Sequence, residues 1–204
     1  MRNYQTGAIN GVRWIIKPVL FVLCLSPAVA GLLGVIHGKL GANPVEAILH
    51  LSGEWALRLL LLTLMVTPLQ RISRRSWVAQ LRRMVGLFAF FYATLHVLIW
   101  LVLEQGLDVS QALREVLAKP FIMVGMVAIA GMLILALTSN KWSVRKLGRR
   151  WKALHRTIYL LSVLAIVHFV WQVKGADLVE PGWYLVVLIG LLGWRFQHQS
   201  GLRS

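Results

Sequence analysis

Acidic residues are scarce in this chain, which has 7 aspartates and glutamates against 22 lysines and arginines. The formal net charge of +15 invites comparison with nucleic-acid-binding proteins, but the basic residues lie between apolar runs and not along one soluble face. Positively charged loops that flank membrane spans explain this distribution better. We therefore expect a protein that contacts membrane lipid and does not bind nucleic acid.

Cysteine and nucleotide-binding motifs are also nearly absent. The one cysteine, Cys24, lies inside the first apolar run, so the chain forms neither an internal disulfide nor a CxxC metal site. No GxGxxG or P-loop sequence occurs, and we therefore expect no pyridine-nucleotide binding by the chain itself. No nucleophile–base pair stands out either, so the sequence does not predict a hydrolytic enzyme.

Long apolar runs are what the chain has instead, with 58% hydrophobic residues and a mean hydropathy of +0.69. The runs are long enough to cross a bilayer, and Pro27 predicts a kink inside the first of them. They predict six spans at residues 12–36, 45–66, 83–104, 121–138, 151–173 and 182–196. The predicted fold is an all-α integral membrane bundle of about six transmembrane helices, forming a single domain over residues 1–204.

Lysine and arginine in the short loops predict the orientation of these spans. The segments after spans two and four are the most basic, with Arg71, Arg74, Arg75, Arg82 and Arg83 in one and Lys141, Arg145, Lys146, Arg149, Arg150 and Lys152 in the other. Because basic loops stay on the cytoplasmic side, both termini are predicted to be cytoplasmic.

Histidines inside the predicted spans are the candidate functional residues, because ionisable side chains are rare within a bilayer. The fifth span carries His155 near its cytoplasmic end and His168 in its outer half, about 20 Å apart along the axis. On one straight helix their rings would lie about 140° apart and would not point into one cavity. His96 in span three and His50 in span two are predicted to share the outer depth of His168.

A b-type heme needs two axial ligands, and neutral imidazoles from different helices supply them without adding charge to the membrane. We predict that His96 and His168, which match in depth, are the outer heme ligands. His50 is the alternative for one position, or it reaches a propionate. Under the competing structural interpretation, each histidine is only bonded to a carbonyl of a neighbouring helix.

The cytoplasmic side leaves two alternatives open for His155. A partner on span three would stand at Arg82 or Arg83, which do not ligate iron in their charged state, so either an inner heme has an unusual ligand or His155 contacts another cofactor. The basic residues there suit a phosphate or propionate, with plain membrane anchoring as the alternative. They are Arg82, Arg83, Arg149, Arg150, Lys152 and Arg156.

Glu54 and Arg58 are spaced to form an ion pair on one face of span two. If the pair faces the bundle interior, it would lie near a propionate or a quinone. If it lies at the interface, the side chains would only extend toward the headgroups.

Three segments carry a resemblance to a known family: HGKLGANPVEAILHLSGEWALRLLLLTLMVTPL (37–69), RRMVGLFAFFYATLH (82–96) and KLGRRWKALHRTIYLLSVLAIVHFVWQVK (146–174). Together they resemble the ferric-reductase-like transmembrane domain, and more closely the heme-binding membrane subunits of the bacterial periplasmic methionine sulfoxide reductase system. The family's ligands match His96, His155 and His168, and His50 matches a further family histidine. Span three departs from oxidase-type relatives because it lacks an inner histidine.

The resemblance implies a multi-pass protein of the bacterial inner membrane that binds heme b and FMN. It would take electrons from the quinone pool or from a cytoplasmic flavin reductase, since no FAD or nicotinamide domain is fused to it. It would pass them to a periplasmic molybdopterin-containing methionine sulfoxide reductase subunit that repairs oxidised proteins. The chain is therefore expected to be an electron-transfer subunit and not the catalytic subunit.

Two other functions fit a small polytopic protein with these residues. A proton-coupled transporter would use the intramembrane histidines with Glu54 and Arg58 as its path. A membrane anchor would dock a partner subunit without any cofactor. Bound heme, visible as colour, separates a cytochrome from both.

Overall fold

A computed structural model describes residues 12–172 and 179–200 of the chain, and every regular element within them is helical. The α-helices are α1 Lys17–Ile36, α2 Pro44–Ser73, α3 Arg82–Ile99, α4 Val109–Ala118, α5 Pro120–Leu137, α6 Lys141–Leu147, α7 Arg149–Arg156, α8 Ile158–Gln172 and α9 Val179–Ser200. A π-helical turn precedes α1 (Val12–Ile16), a 3-10 turn precedes α3 (Ser76–Gln80), and a π-helical turn extends α3 (Trp100–Glu104).

The chain divides into two compact units, Met1–His96 and Val97–Ser204. The first contains α1, α2 and α3 up to His96. In the second, α8 packs along α5, α4 contacts α5, and α9 contacts α8.

Five helical stretches in the described residues are long and apolar enough to cross a membrane. They are Trp14–Ile36, Pro44–Ser73, Ser76–Glu104, Pro120–Leu137 and Arg149–Gln172. The sixth predicted span lies within α9, which has 22 residues but carries Glu180 and Arg195. The predicted all-α membrane fold is confirmed, and the chain is a multi-pass membrane protein.

Helix α2 is longer than the sequence pattern predicts, because it continues through Pro68 to Ser73. It begins with Pro44 in its first turn, and the Asn43 side chain accepts a hydrogen bond from the Glu46 N–H. A proline removes only one backbone hydrogen-bond donor, so a helix that is stabilised by packing of its buried face can continue past it. The expected end at Thr67-Pro68 is therefore not observed.

Helices α7 and α8 meet at Thr157, whose backbone keeps helical angles, and together they form the apolar stretch Arg149–Gln172. The Thr157 N–H and hydroxyl both donate to the Leu154 carbonyl, at 3.0 and 2.7 Å. A threonine hydroxyl that binds a nearby carbonyl competes with the regular helical bond and favours a change of direction. The predicted end at Val173 lies outside the described residues.

The short helix α4 joins two spanning helices and has polar ends. Asp108 caps it, because its carboxylate accepts hydrogen bonds from the Gln111 N–H and the Ser110 hydroxyl. These two bonds hold the pKa of the exposed Asp108 carboxyl below its usual range. At the other end, Glu115 pairs with Lys119 at 2.6 Å.

Pro27 interrupts the hydrogen bonds of α1, and a tyrosine from α3 repairs the gap. The fully buried Tyr92 hydroxyl donates to the Cys24 carbonyl at 2.8 Å and accepts from the Ala28 N–H at 3.0 Å. The Ser26 hydroxyl donates to the Leu23 carbonyl, whose usual donor would be the missing N–H of Pro27. Tyr92 thus joins α1 to α3 through two backbone groups in a span.

Replacing Tyr92 with phenylalanine should lower the free energy of unfolding by about 1–3 kcal/mol, since two buried backbone groups lose their shared partner. Thermal unfolding in detergent measures the change. Tyr184→Phe is the matched control, because its hydroxyl bond to Glu180 is exposed and long, at 3.4 Å. Equal stabilities of the two variants would show that the Tyr92 hydroxyl is not needed at the Pro27 break.

Candidate functional site

His96 is held against α2 by one hydrogen bond and one close packing contact. Its Nδ1 lies 2.9 Å from the Leu49 carbonyl oxygen. Its ring packs on Gly53, where an added Cβ would come within 3.1 Å of Nδ1 and Cε1. The ring is therefore fixed by the Leu49 carbonyl, which also accepts a hydrogen bond from the Ser52 hydroxyl, and by the glycine that leaves room for it.

His168 has the same kind of contact with α5 in the second unit. Its Nδ1 lies 2.6 Å from the Phe121 carbonyl oxygen, and its ring centroid is 6.0 Å from that of the Phe121 ring. An added Cβ on Gly125 would come within 2.8 Å of Nδ1. Here too a backbone carbonyl and a glycine hold the imidazole.

These contacts determine which ring nitrogen carries the proton. A carbonyl oxygen only accepts hydrogen bonds, so Nδ1 of both His96 and His168 must be the donor. In a neutral ring, Nε2 then carries the lone pair and is the nitrogen able to bind a metal. The bond to a neighbouring carbonyl belongs to the structural interpretation as well, but metal-binding histidines generally have such a partner on their other nitrogen.

His155 lies in a different arrangement, at the opposite end of α5 from His168. Its Nε2 is 3.1 Å from the Thr138 hydroxyl oxygen, and that hydroxyl donates to the Ile134 carbonyl at 2.7 Å. Nε2 is therefore the donor in this bond, which leaves the lone pair on Nδ1. Trp151 stacks on the imidazole at 4.0 Å and donates to the Thr138 carbonyl. Both histidines of the fifth span thus contact the ends of α5.

His50 and the Glu54–Arg58 pair lie on α2. His50 is half-exposed, and its Nε2 is 3.8 Å from a Glu46 carboxylate oxygen. Glu54 accepts a hydrogen bond from Arg58 at 2.7 Å, so the pair predicted from the spacing is formed. The Arg58 guanidinium also lies 5.3 Å from the centroid of the Trp55 ring.

The basic residues of the predicted cytoplasmic side are all exposed at helix starts or in short helices. Arg82 and Arg83 begin α3, and the others lie in α7: Arg149, Arg150, Lys152 and Arg156. Exposure suits the phosphate groups of lipids as well as a cofactor phosphate.

Four residues that the sequence did not single out contribute to these contacts: Gly53, Gly125, Thr138 and Trp151. The sequence contained only a weak indication of these contacts. A glycine inside an apolar helix indicates a close approach by another group, but it does not identify that group.

Each of His96 and His168 offers one ring nitrogen that suits a heme iron. Within ranges 12–172 and 179–200, no three histidine, cysteine, aspartate or glutamate side chains cluster to hold an ion. A heme needs only one nitrogen from each axial residue, because the porphyrin supplies the other four. Two imidazoles with Nδ1 bonded and Nε2 as the base fit that requirement.

Comparisons with known proteins identify the family to which the chain is similar. Residues 52–166 match the family model described as "Ferric reductase like transmembrane component". That segment contains His96 and His155, while His50 and His168 lie just outside it. No solved structure matches the chain.

Several curated proteins are similar over most of the chain, and each is named "Protein-methionine-sulfoxide reductase heme-binding subunit MsrQ". The protein from Bordetella pertussis is 49% identical over 88% of both chains. The one from Azospira oryzae is 46% identical over 88% of this chain and 78% of its own. The one from Brucella anthropi is 41% identical over 94% of this chain and 87% of its own.

Proposed function

Because this chain belongs to the ferric reductase-like transmembrane family, and within it to the heme-binding subunits of protein-methionine-sulfoxide reductases, we propose that it is a membrane cytochrome that relays electrons through heme b. The observation that carries the proposal is the shared arrangement of His96 and His168, each with Nδ1 on a carbonyl and Nε2 as the base. A single ferric-reductase-like domain over residues 1–204 is part of the proposal.

His96 and His168 are the proposed axial ligands, each through Nε2. When bound, heme b supplies one-electron redox chemistry. The chain's own contribution is to hold two neutral imidazoles in the span interior, with their rings fixed by α2 and α5. A carbonyl acceptor on Nδ1 also makes the ring more basic, which favours the oxidised iron.

His155 and His50 have less direct proposed roles. His155 would bind iron on the predicted cytoplasmic side or contact another cofactor. If it does so through Nε2, its hydrogen bond to the Thr138 hydroxyl must first break. His50 is half-exposed beside Glu46, which suits a propionate contact better than axial ligation.

The proposed route runs across a bacterial inner membrane, with both termini cytoplasmic as the basic loops predict. Electrons would come from the quinone pool or a cytoplasmic flavin reductase. They would leave to a periplasmic molybdopterin-containing methionine sulfoxide reductase subunit. The printed names of the relatives support the methionine sulfoxide reductase system, and the donor and the molybdopterin partner rest on the resemblance alone.

FMN is the second proposed cofactor. The arginines proposed for cofactor binding, Arg58, Arg82, Arg83, Arg149, Arg150 and Arg156, suit a phosphate or propionate. No contact among the described residues selects a position for an isoalloxazine ring. We therefore derive no electron-transfer step through a flavin, and extraction of the purified protein with fluorescence detection would test for one.

The test of the proposed function is the visible spectrum of the purified protein, dithionite-reduced minus oxidised, with quantitation of heme as its pyridine complex. We expect sharp b-type bands at a stoichiometry of one or two hemes per chain. A colourless protein, even after heme supplementation during expression, would overturn the cytochrome and favour the proton-coupled transporter.

A further inference from the structure

We propose that Gly53 and Gly125 are positioning residues that give His96 and His168 access to the backbone carbonyls of α2 and α5. The proposal rests on the proposed heme function for its spectroscopic consequence, but its steric basis is independent of heme. It concerns glycine positions to which neither the sequence pattern nor the comparisons assign a role.

The geometry of an α-helix explains why a glycine is needed at these positions. A helical side chain leans toward the N-terminus and covers the turn before its own Cα. A side chain at position 53 would therefore cover the carbonyl of Leu49, and one at position 125 would cover that of Phe121. Glycine leaves each carbonyl oxygen accessible, so that it accepts a hydrogen bond from an imidazole in addition to its helical one. The Leu49 carbonyl also accepts one from the Ser52 hydroxyl at 2.8 Å.

The same arrangement occurs once in each unit of the chain. In both, 47 residues separate the histidine from the carbonyl residue, and the glycine follows the carbonyl residue by four positions. A glycine inside a helix lowers helix stability by about 1 kcal/mol relative to alanine. The presence of a glycine beneath each of these two histidines therefore needs a structural explanation. The close approach of the imidazole ring supplies that explanation.

The two contacts differ in tightness, which predicts different effects of the same substitution. An alanine methyl at position 125 would come within 2.8 Å of the His168 ring, and one at position 53 within 3.1 Å of the His96 ring. We expect Gly125→Ala to push the ring off the Phe121 carbonyl and to lower heme affinity about 10- to 100-fold, the usual cost of losing the outer partner of a metal-binding histidine. Gly53→Ala should have a smaller effect in the same direction.

The chain offers a matched control in the same helix pair. A methyl group at Gly131 of α5 would overlap the side chain of the buried Leu161 on α8, so Gly131→Ala disturbs the packing of α5 and α8 without touching the imidazole. Gly125→Ala should raise the heme reduction potential and change the reduced bands, because the ligand becomes less basic. Gly131→Ala should leave both unchanged in the heme that remains bound. Equal spectral and potential changes in the two variants would overturn the proposal.

A second experiment tests the steric basis on heme-free protein and keeps the proposal testable if Gly125→Ala accumulates poorly. Gly125→Ala is combined with His168→Ala, and the Tm is measured for each single variant and for the pair. With no ring at position 168, the added methyl meets no imidazole, so Gly125→Ala should lower the Tm in the wild-type background and not in the His168→Ala background. Gly131→Ala should lower it equally in both.

The two experiments separate the proposal from the function on which it rests. If the protein binds no heme but the Tm coupling between positions 125 and 168 is present, the proposed function fails and the glycine contact stands. If the protein binds heme but Gly125→Ala lowers the Tm equally in both backgrounds, the glycine proposal fails and the cytochrome stands.

Discussion

Replacing either His96 or His168 with alanine should abolish a b-type heme signal while leaving the helical protein in the membrane. Each substitution removes an Nε2 that the Nδ1 bond to Leu49 or Phe121 has fixed as the basic nitrogen. Methyl groups cannot coordinate iron, so a low-spin heme with two axial imidazoles is lost or becomes high-spin. Reduced-minus-oxidised spectra and heme quantitation measure the loss.

His37→Ala is the matched control for this experiment. His37 also has an imidazole near a carbonyl, with Nδ1 2.7 Å from the Leu33 oxygen, but it is exposed at the end of α1 and bonds its own helix. Its replacement should leave the spectrum unchanged. If both ligands serve one heme, the double variant His96→Ala/His168→Ala loses no more heme than either single variant. Full heme content in His168→Ala would contradict the assignment.

The His155→Ala variant distinguishes the two alternatives left open on the cytoplasmic side. If a second heme depends on His155, the stoichiometry should fall from two to one, with the bands of the other heme retained. If His155 only joins Trp151 to Thr138, heme content should stay constant, and the loss should appear as a lower Tm.

The spans could be predicted from the sequence because a bilayer permits few structures. Apolar runs of sufficient length must be helical, since the bilayer offers no water to an open backbone. The same reasoning could not predict where a helix continues or breaks. Pro68 does not end α2, and the Thr157 hydroxyl bonds the Leu154 carbonyl inside the fifth span, because both features depend on local hydrogen bonds to individual carbonyls.

The candidate histidines were also predictable, because imidazole in an apolar run is conspicuous. The different hydrogen bonds that these histidines make could not be predicted. His155 and His168 stand in one predicted span, yet one donates through Nε2 to a threonine hydroxyl and the other through Nδ1 to a backbone carbonyl. The recurring contact with Gly53 and Gly125 involves three positions in each unit, too few for the sequence to appear repetitive.

Replacing Glu54 with leucine should have the largest effect on stability among changes outside the histidines. Arg58 stands near the middle of the 30-residue helix α2, and Glu54 is its partner at 2.7 Å. An arginine at the centre of a span that loses its carboxylate costs up to about 2.5–3.5 kcal/mol on insertion scales, and the partial exposure of this pair reduces that cost. We expect a strong fall in membrane accumulation and in Tm.

The same pair serves to separate structure from cofactor binding. Replacing both residues by leucine removes the charge along with its partner, so most of the lost stability should return. Lys119→Leu is the control, because the pair of Lys119 with Glu115 has the same spacing but lies outside the spans, and its loss should cost no more than about 1 kcal/mol.

If the double leucine variant folds and keeps its heme spectrum, Arg58 stabilises the span and does not bind the cofactor. If it folds but loses heme or shifts its bands, the predicted contact between Arg58 and a propionate is supported. Recovery of stability decides whether the pair is structural, and the spectrum of the recovered protein decides whether it is also functional.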